Sequence, residues 1–224
     1  MTVTDDDDVN DDNVNDNVND NDVNDDDVLP WWHNPINLGV IALAIAILAG
    51  GLGWVIGNNN ALPDPTATDI GFLQDMRWHH DQGIEIAYTY LALPDTDQRL
   101  TTIAREIALG QAIEVGQMVQ MLRGFGAAEA NETETAMTWM GTPTPLDRMP
   151  GLATESDLAA LRASSGGTAD RTFVTLMIAH HEGGIHMAEA AAVHAGVAGV
   201  RTMAEQMAAN QRNEIDELRL LIAG

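Results

Sequence analysis

Two stretches of this chain are near-copies of each other. Residues 72–87 read FLQDMRWHHDQGIEIA, and residues 173–188 read FVTLMIAHHEGGIHMA. A Phe, a Met, a His-His pair and a Gly recur in the same order and at the same spacing. Duplication on this scale indicates that one structural unit occurs twice, which limits the fold to arrangements with two equivalent halves.

The repeat extends into a second helix of each half. Six residues recur at an offset of 100: Ile103, Ala104, Ile107, Ala108, Gln111 and Glu114 match Met203, Ala204, Met207, Ala208, Gln211 and Glu214. Apolar periodicity and capping signals predict helices over about residues 69–91, 96–123, 154–163, 169–194 and 197–222, with Thr68 or Asp69 capping the first and Gly124 following the second. Short connections within each pair and one long crossover predict an all-α fold, in which duplicated helical hairpins form a ferritin-like four-helix bundle.

The N-terminal region differs sharply in composition from the rest. Residues 1–29 contain twelve Asp and no Lys or Arg, and such a segment cannot bury enough apolar surface to fold, so we predict a disordered acidic tail. A membrane anchor is predicted over 30–57 and a linker over 58–67. The bundle is predicted over 68–224, with repeat 1 at about 68–124, the crossover at 125–167 and repeat 2 at about 168–224.

The predicted anchor centres on residues 36–56, which are 21 consecutive uncharged and mostly apolar positions. This length suits a single transmembrane helix contacting the lipid bilayer. Trp31, Trp32 and Trp54 lie near its ends, where aromatic rings favour the membrane interface. A buried core helix and a cleaved signal are the alternatives, although a signal normally starts with basic residues. The nearest arginine is Arg77, so charge does not predict the orientation.

Composition restricts the partners and the metal chemistry. The net charge is −24 and all ten basic residues are Arg, which argues against nucleic acid as a partner. The chain has no cysteine, which excludes disulfides, thiolate metal sites and cysteine nucleophiles. A metal ion must therefore be bound by imidazole, thioether or carboxylate.

Each copy of the repeat carries Met-x-x-His-His. On a helix the Met shares a face with either imidazole, and close approach of the two copies is expected to bring Met76 towards Met177. Two thioethers with two imidazoles favour Cu(I), with Ag(I) as a similar soft ion. The candidate ligands are Met76, His79, His80, Met177, His180 and His181.

Further polar residues could orient these imidazoles or supply oxygen ligands to a harder ion. The candidates are Asp81, Glu85, Glu114, Glu182 and Glu214, with His186 beside them in the second copy.

Other interpretations remain open. The His-His pairs could be hydrogen-bonded core residues that fix the register of the bundle, with no metal involved. A ferritin-like di-iron site is not expected, because Glu182 lies four rather than three residues before His186. No zincin motif, nucleophile elbow or phosphate-binding loop is present, so the chain is not expected to be an enzyme.

The duplicated motif, F-x-x-x-M-x-x-H-H-[DE]-x-G-I, resembles the bacterial domain-of-unknown-function 305 family, which includes copper-binding proteins of the CopM type. The resemblance covers about residues 68–224. It implies a ferritin-like four-helix domain on the extracytoplasmic side, and copper or silver binding by Met and His residues. It adds Met187 to the candidate ligands. The chain departs from the family pattern at Ile86 and Leu152, where Met is often found.

Together these features predict a membrane-anchored extracytoplasmic protein that sequesters or delivers copper or silver in the cell envelope. Its expected partners are the lipid bilayer, through residues 36–56, and the metal ion, and it could form a homo-oligomer. The alternative is a metal-independent structural or partner-docking domain.

Overall fold

The computed structural model describes residues 35–59 and 64–223, which belong to two units. The first unit contains α1 (Pro35–Asn59). The second contains five helices: α2 (Ala67–Leu91), α3 (Gln98–Gly124), α4 (Glu155–Arg162), α5 (Gly166–His194) and α6 (Ala198–Ala223). The prediction of an all-α chain is confirmed. The acidic tail predicted over residues 1–29 lies outside the described residues.

Residues 36–56, the predicted membrane anchor, are helical and lie within α1. Among the described residues, however, no helix combines the length and the apolar character needed to cross a bilayer. The single transmembrane helix, and with it the bilayer contact through residues 36–56, is therefore not supported.

Local capping sets where the helices begin and end. Thr66 caps α2 and forms a capping box with Asp69, so the cap lies before the predicted Thr68 or Asp69. Thr154 caps α4 through the box with Asp157 that the sequence predicts. Gly124 was expected just beyond α3 but is its last residue, and the left-handed residue that follows is Gly126, with φ of 68°. The helix therefore ends one residue later than predicted, and the left-handed residue lies two residues later.

The helices of the second unit form two hairpins, α2 with α3 and α5 with α6, which pack together mainly through α2 and α5. These two central helices are antiparallel. Tyr90 near the end of α2 stacks on Phe173 near the start of α5, with ring centroids 4.2 Å apart. At the other end of α2, Asp69 accepts a hydrogen bond from Val197 N at 2.9 Å, just beyond α5. The duplicated motifs therefore run in opposite directions past each other.

Asp69 and Asp170 occupy equivalent positions in the two repeats and perform equivalent structural tasks. Asp69 accepts backbone N–H bonds from Gly196 and Val197, at the start of α6. Asp170 accepts a bond from Asp97 N, at the start of α3. Each aspartate thus fixes the start of the second helix of the opposite hairpin, and this cross-linking holds the two hairpins in one register.

The crossover between the hairpins is held by Asp75, a buried carboxylate on α2. It accepts hydrogen bonds from Asn131 Nδ2, Met137 N and Trp139 Nε1, at 2.8, 2.7 and 2.9 Å. The crossover contains a short antiparallel pair, β1 (Thr135–Ala136) and β2 (Thr144–Pro145). Its anchoring point is therefore on the same helix as the first His-His pair.

After this pair the crossover passes over the junction of α2 and α5 as residues 149–151, which we call the covering segment. Gln82 on α2 fixes the chain just after this segment, since the Gln82 amide donates to Ala153 O at 3.0 Å and accepts from Ala153 N at 2.6 Å. The segment lies so close to α5 that a Cβ on Gly183 would overlap Pro150 O. Gly151, in the segment itself, has φ of 83°, and a Cβ there would lie 2.4 Å from Ala179 O of α5.

Candidate metal-binding region

The four repeated histidines lie where α2 and α5 cross, and all four are 0% exposed. The rings of His79 and His180 face each other with centroids 3.9 Å apart and an interplanar angle of 30°. Gly83 permits this approach, because a Cβ there would lie 2.6 Å from His180 Cε1 and would overlap the Gln111 amide. The sequence-predicted residues His79, His80, His180 and His181 therefore do form one buried polar layer at the centre of the bundle.

The Nε2 atoms of these rings contact protein acceptors. His79 Nε2 donates to Pro150 O at 3.1 Å in the covering segment, and His180 Nε2 donates to His79 O at 2.8 Å. His80 Nε2 lies 2.7 Å from Glu114 Oε2 in a hydrogen bond. His181 Nε2 lies 2.8 Å from Glu214 Oε2, although the orientation is not that of a hydrogen bond. Two of the candidate carboxylates, Glu114 and Glu214, thus lie beside imidazoles.

Burial keeps the central imidazoles uncharged. It lowers the pKa of His79 from 6.5 to about 3, and the neighbouring His80 ring acts in the same direction. Burial, reinforced by His79 and His181, also lowers the pKa of His180 well below 6.5. A neutral imidazole carries one nitrogen lone pair, so these rings are in the protonation state that binds metal ions.

The three candidate methionine ligands are also fully buried, but they do not come together in the expected way. Met76 and Met187 belong to one cluster of buried apolar residues, whereas Met177 belongs to a second. The physical reason is the antiparallel crossing of α2 and α5, which places equivalent positions on opposite sides of the histidine layer. Met76 on α2 therefore shares its side with Met187 on α5 rather than with Met177.

The two clusters differ strongly in sulfur content. The cluster around Met76, which we call the methionine-rich half, contains or packs against every methionine of the described residues except Met177: Met76, Met118, Met121, Met137, Met140, Met149, Met187, Met203 and Met207. In the other half, aliphatic side chains occupy the matching repeat positions, with Ile86 for Met187, Ile107 for Met207 and Leu218 for Met118. The backbone duplication is thus accompanied by an asymmetric distribution of soft donors.

The remaining polar candidates lie away from the histidine layer. Asp81, Glu85, Glu182 and His186 are exposed. Glu85 lies 3.7 Å from Arg162, and Glu182 accepts a hydrogen bond from Arg219 at 3.2 Å. Across the described residues, no three His, Asp or Glu side chains come close enough to hold a metal ion. A site here would therefore need thioether or amide donors beside imidazole.

Sequence reasoning did not identify Gln111 and Gln211 as site residues. Both amides are buried at the histidine layer, against Gly83 and Gly184, and have no hydrogen-bond partner among the described residues. They recur at an offset of 100, so the second-helix repeat carried the signal. Met118 and Met149 were also missed, because they lie outside the matched positions.

The comparisons with known proteins agree with this fold. The family model described as Domain of unknown function (DUF305) matches residues 69–222. A DUF305 protein from Streptomyces coelicolor, described as secreted, is 32% identical with a TM-score of 0.64 over 70% of this chain and 92% of its own. A DUF305 fragment from Deinococcus radiodurans is 27% identical with a TM-score of 0.61, covering 72% and 99%. No match is found among curated proteins.

The fold is also similar to that of CopM in its Cu(I)-bound form. The identity is 22% and the TM-score 0.51, over 70% of this chain and 96% of CopM. The Cu(II)-bound form of CopM gives 21% identity and a TM-score of 0.52, over 69% and 95%. At this level of identity the likeness establishes a shared fold.

Proposed function

The chain belongs to the DUF305 family, and from this premise we propose that its helical domain binds copper, with Cu(I) as the preferred ion. The observation that carries the proposal is the composition of the buried centre. Four buried imidazoles lie beside a core half that contains or packs against nine methionines. Imidazole and thioether together suit Cu(I) better than Zn²⁺ or Mg²⁺.

The donor set fits copper in a second respect. A site built only from His, Asp and Glu would need at least three such side chains in reach of one point, and the described residues contain no such group. Cu(I) in contrast accepts thioethers, and Met76 lies three and four residues before two of the imidazoles. The candidate ligands are therefore His79, His80, His180 and His181 with Met76 and Met187, while Met177 lies in an apolar cluster that contains no other methionine of the described residues.

The cellular role follows from the same chemistry. A buried, cysteine-free site suits sequestration or delivery of Cu(I) or Ag(I) in an oxidising compartment, because thioethers persist where thiols would be oxidised. An extracytoplasmic location is consistent with the description of the Streptomyces relative as secreted. The homo-oligomer suggested at the outset stays a prediction.

The alternative is a metal-independent helical domain that docks a partner. It has one observation in its favour: the imidazoles already make structural contacts, to Pro150 O, His79 O and Glu114, and these would hold the helices in register without a metal. The two functions differ in what metal does to the folded protein. An ion that binds only the folded state stabilises it by about 2.7 kcal/mol at 100 times its dissociation constant.

The test is a competition titration of the full chain with Cu(I), Ag(I) and Zn(II) under reducing conditions. We expect Cu(I) and Ag(I) to bind far more tightly than Zn(II). The double change Met76→Leu with Met187→Leu should weaken Cu(I) binding by about tenfold or more, while Met177→Leu, a matched buried methionine, should have little effect. Equal affinities for Cu(I) and Zn(II), or an unchanged Cu(I) affinity in the double variant, would refute copper binding at this centre.

A further inference from the structure

We infer that His79, His80 and His180 bind metal through Nδ1, and that Glu114 is a positioning residue that holds His80 for this purpose. The inference rests on the proposed copper function and specifies which atoms perform it. It is carried by the hydrogen bonds of these three rings rather than by the identity of the ion.

The acceptors fix the tautomer of His79 and His180. A backbone carbonyl can only accept, so the nitrogen that bonds to it must carry the proton. His79 Nε2 faces Pro150 O at 3.1 Å, and His180 Nε2 faces His79 O at 2.8 Å. In each neutral ring the lone pair is therefore on Nδ1.

His80 is held in the same state by a carboxylate. Its Nε2 lies 2.7 Å from Glu114 Oε2, and an ionised carboxylate also only accepts. Glu214 Oε2 lies 2.8 Å from His181 Nε2 in the second repeat, but these two atoms do not form a hydrogen bond, so the His181 tautomer is not fixed in this way. A carboxylate that receives the distal N–H of a histidine orients the ring and raises the basicity of its other nitrogen.

The Nδ1 atoms are the ring nitrogens that remain free to bind a metal ion. Within the part of the chain that the structure describes, Nδ1 of His79, His80, His180 and His181 is buried and has no hydrogen-bond partner. Native proteins rarely leave buried acceptors unpaired, and three in one layer, on His79, His80 and His180, point to a ligand that accepts lone pairs. Gln111 and Gln211 bring two further unpaired amides to the same layer.

Ligation through Nδ1 also preserves the fold. Binding at Nε2 would break the bond from His79 to the covering segment, the bond from His180 to α2 and the His80–Glu114 pair. Binding at Nδ1 leaves all three contacts in place. The protein can therefore bind and release an ion while the two central helices keep their register.

The test is NMR of the full chain labelled with ¹⁵N-histidine, using long-range ¹H–¹⁵N correlations that distinguish Nδ1 from Nε2. Without metal, His79, His80 and His180 should be protonated at Nε2. On adding Ag(I), a diamagnetic probe, the Nδ1 resonances of the binding histidines should shift while their Nε2 resonances stay protonated. Shifts at Nε2, or Nδ1–H tautomers in the metal-free protein, would overturn the inference while leaving the copper function intact.

The positioning role is tested by three variants. Glu114→Ala removes the acceptor, so His80 should lose its single tautomer and Ag(I) affinity should fall about tenfold. Glu114→Gln keeps an acceptor oxygen and should restore both, and Glu106→Ala, at an exposed position on the same helix, should change neither. A single Nε2–H tautomer in Glu114→Ala would contradict the positioning role. Absence of any Ag(I) or Cu(I) binding by the wild-type chain would instead refute the copper function and this assignment together.

Discussion

The side chain of His180 donates a hydrogen bond to the backbone carbonyl of His79, its counterpart in the other repeat, at 2.8 Å. The contact is not reciprocal, because His79 Nε2 donates to Pro150 O instead. The pseudo-symmetry of the two repeats is therefore broken at its centre, where the covering segment takes the place of a second cross-repeat bond.

Acid should destabilise the metal-free protein through these rings. The pKa of His79 is lowered by burial to about 3, so the unfolded chain binds its proton near pH 6.5 while the folded chain does not. Stability contributed by the neutral ring is complete above pH 6.5 and is lost as the pH falls towards 3, by about 2 kcal/mol at pH 5. Urea unfolding with a chelator between pH 8 and pH 5 measures this loss. His79→Gln should flatten the dependence, and the exposed His186→Gln should not; equal slopes in all three proteins would contradict a neutral buried His79.

Gly83→Ala should destabilise the domain, because the added Cβ would overlap the Gln111 amide and crowd His180. Overpacking of this kind costs about 1–3 kcal/mol. Gly116→Ala is the matched control, since it lies in α3 with nothing within 4 Å of its Cβ, and it should stabilise the helix by about 0.5–1 kcal/mol. Thermal unfolding of both variants checks the opposite signs, and a stabilised Gly83→Ala would show that the close approach at the histidine layer is absent.

Asp75→Ala should release the crossover from α2. Three buried or partly buried donors lose their acceptor, including Met137 N and Trp139 Nε1. Loss of charge-assisted bonds of this kind costs about 3 kcal/mol. The change should appear in Trp139 fluorescence and as faster proteolysis within residues 125–150. Asp75→Asn keeps one acceptor and should be milder, while Asp147→Ala, exposed in the same crossover, should resemble wild type; a protease-resistant crossover in Asp75→Ala would argue against this anchor.

Ile86→Met should add a second pair of thioethers to the domain, together with Met177. Ile86 and Met177 lie in the same apolar cluster, at the positions where the methionine-rich half has Met187 and Met76. If copper binds through paired thioethers beside the histidine layer, this single change should raise the number of Cu(I) ions bound at saturation. Ile86→Leu, of similar volume, is the control. Unchanged stoichiometry in Ile86→Met would indicate that thioether pairing across α2 and α5 does not define the site.

The sequence predicted the helices well, because the repeat and its apolar periodicity are local signals. It predicts Met76 close to Met177, whereas the structure places these two residues in different apolar clusters. Whether equivalent residues meet depends on the direction in which α2 and α5 cross, and no local pattern encodes that direction. The same limit applies to Pro150, whose carbonyl reaches His79 only because the crossover folds back 71 residues later in the chain.

The candidate carboxylates lie in two different environments. Of the candidate carboxylates, Glu114 and Glu214, which recur in the second helix of each repeat, lie beside His80 and His181. Asp81 and Glu182 follow the His-His pairs directly, and their position on the next helical face carries them to the surface. Carboxylates next to the His-His pairs in sequence are thus exposed, whereas those that recur in the second helix of each repeat lie beside the imidazoles.

The covering segment bears on the rate at which a bound metal ion would exchange. Pro150 lies against Gly183 and accepts a hydrogen bond from His79, whose ring is 0% exposed. If the domain carries copper as we propose, an ion that enters or leaves beside His79 would have to displace this segment, and its exchange would be no faster than the opening of the segment. A recipient protein that displaced residues 149–151 would then speed release, whereas dilution alone would not.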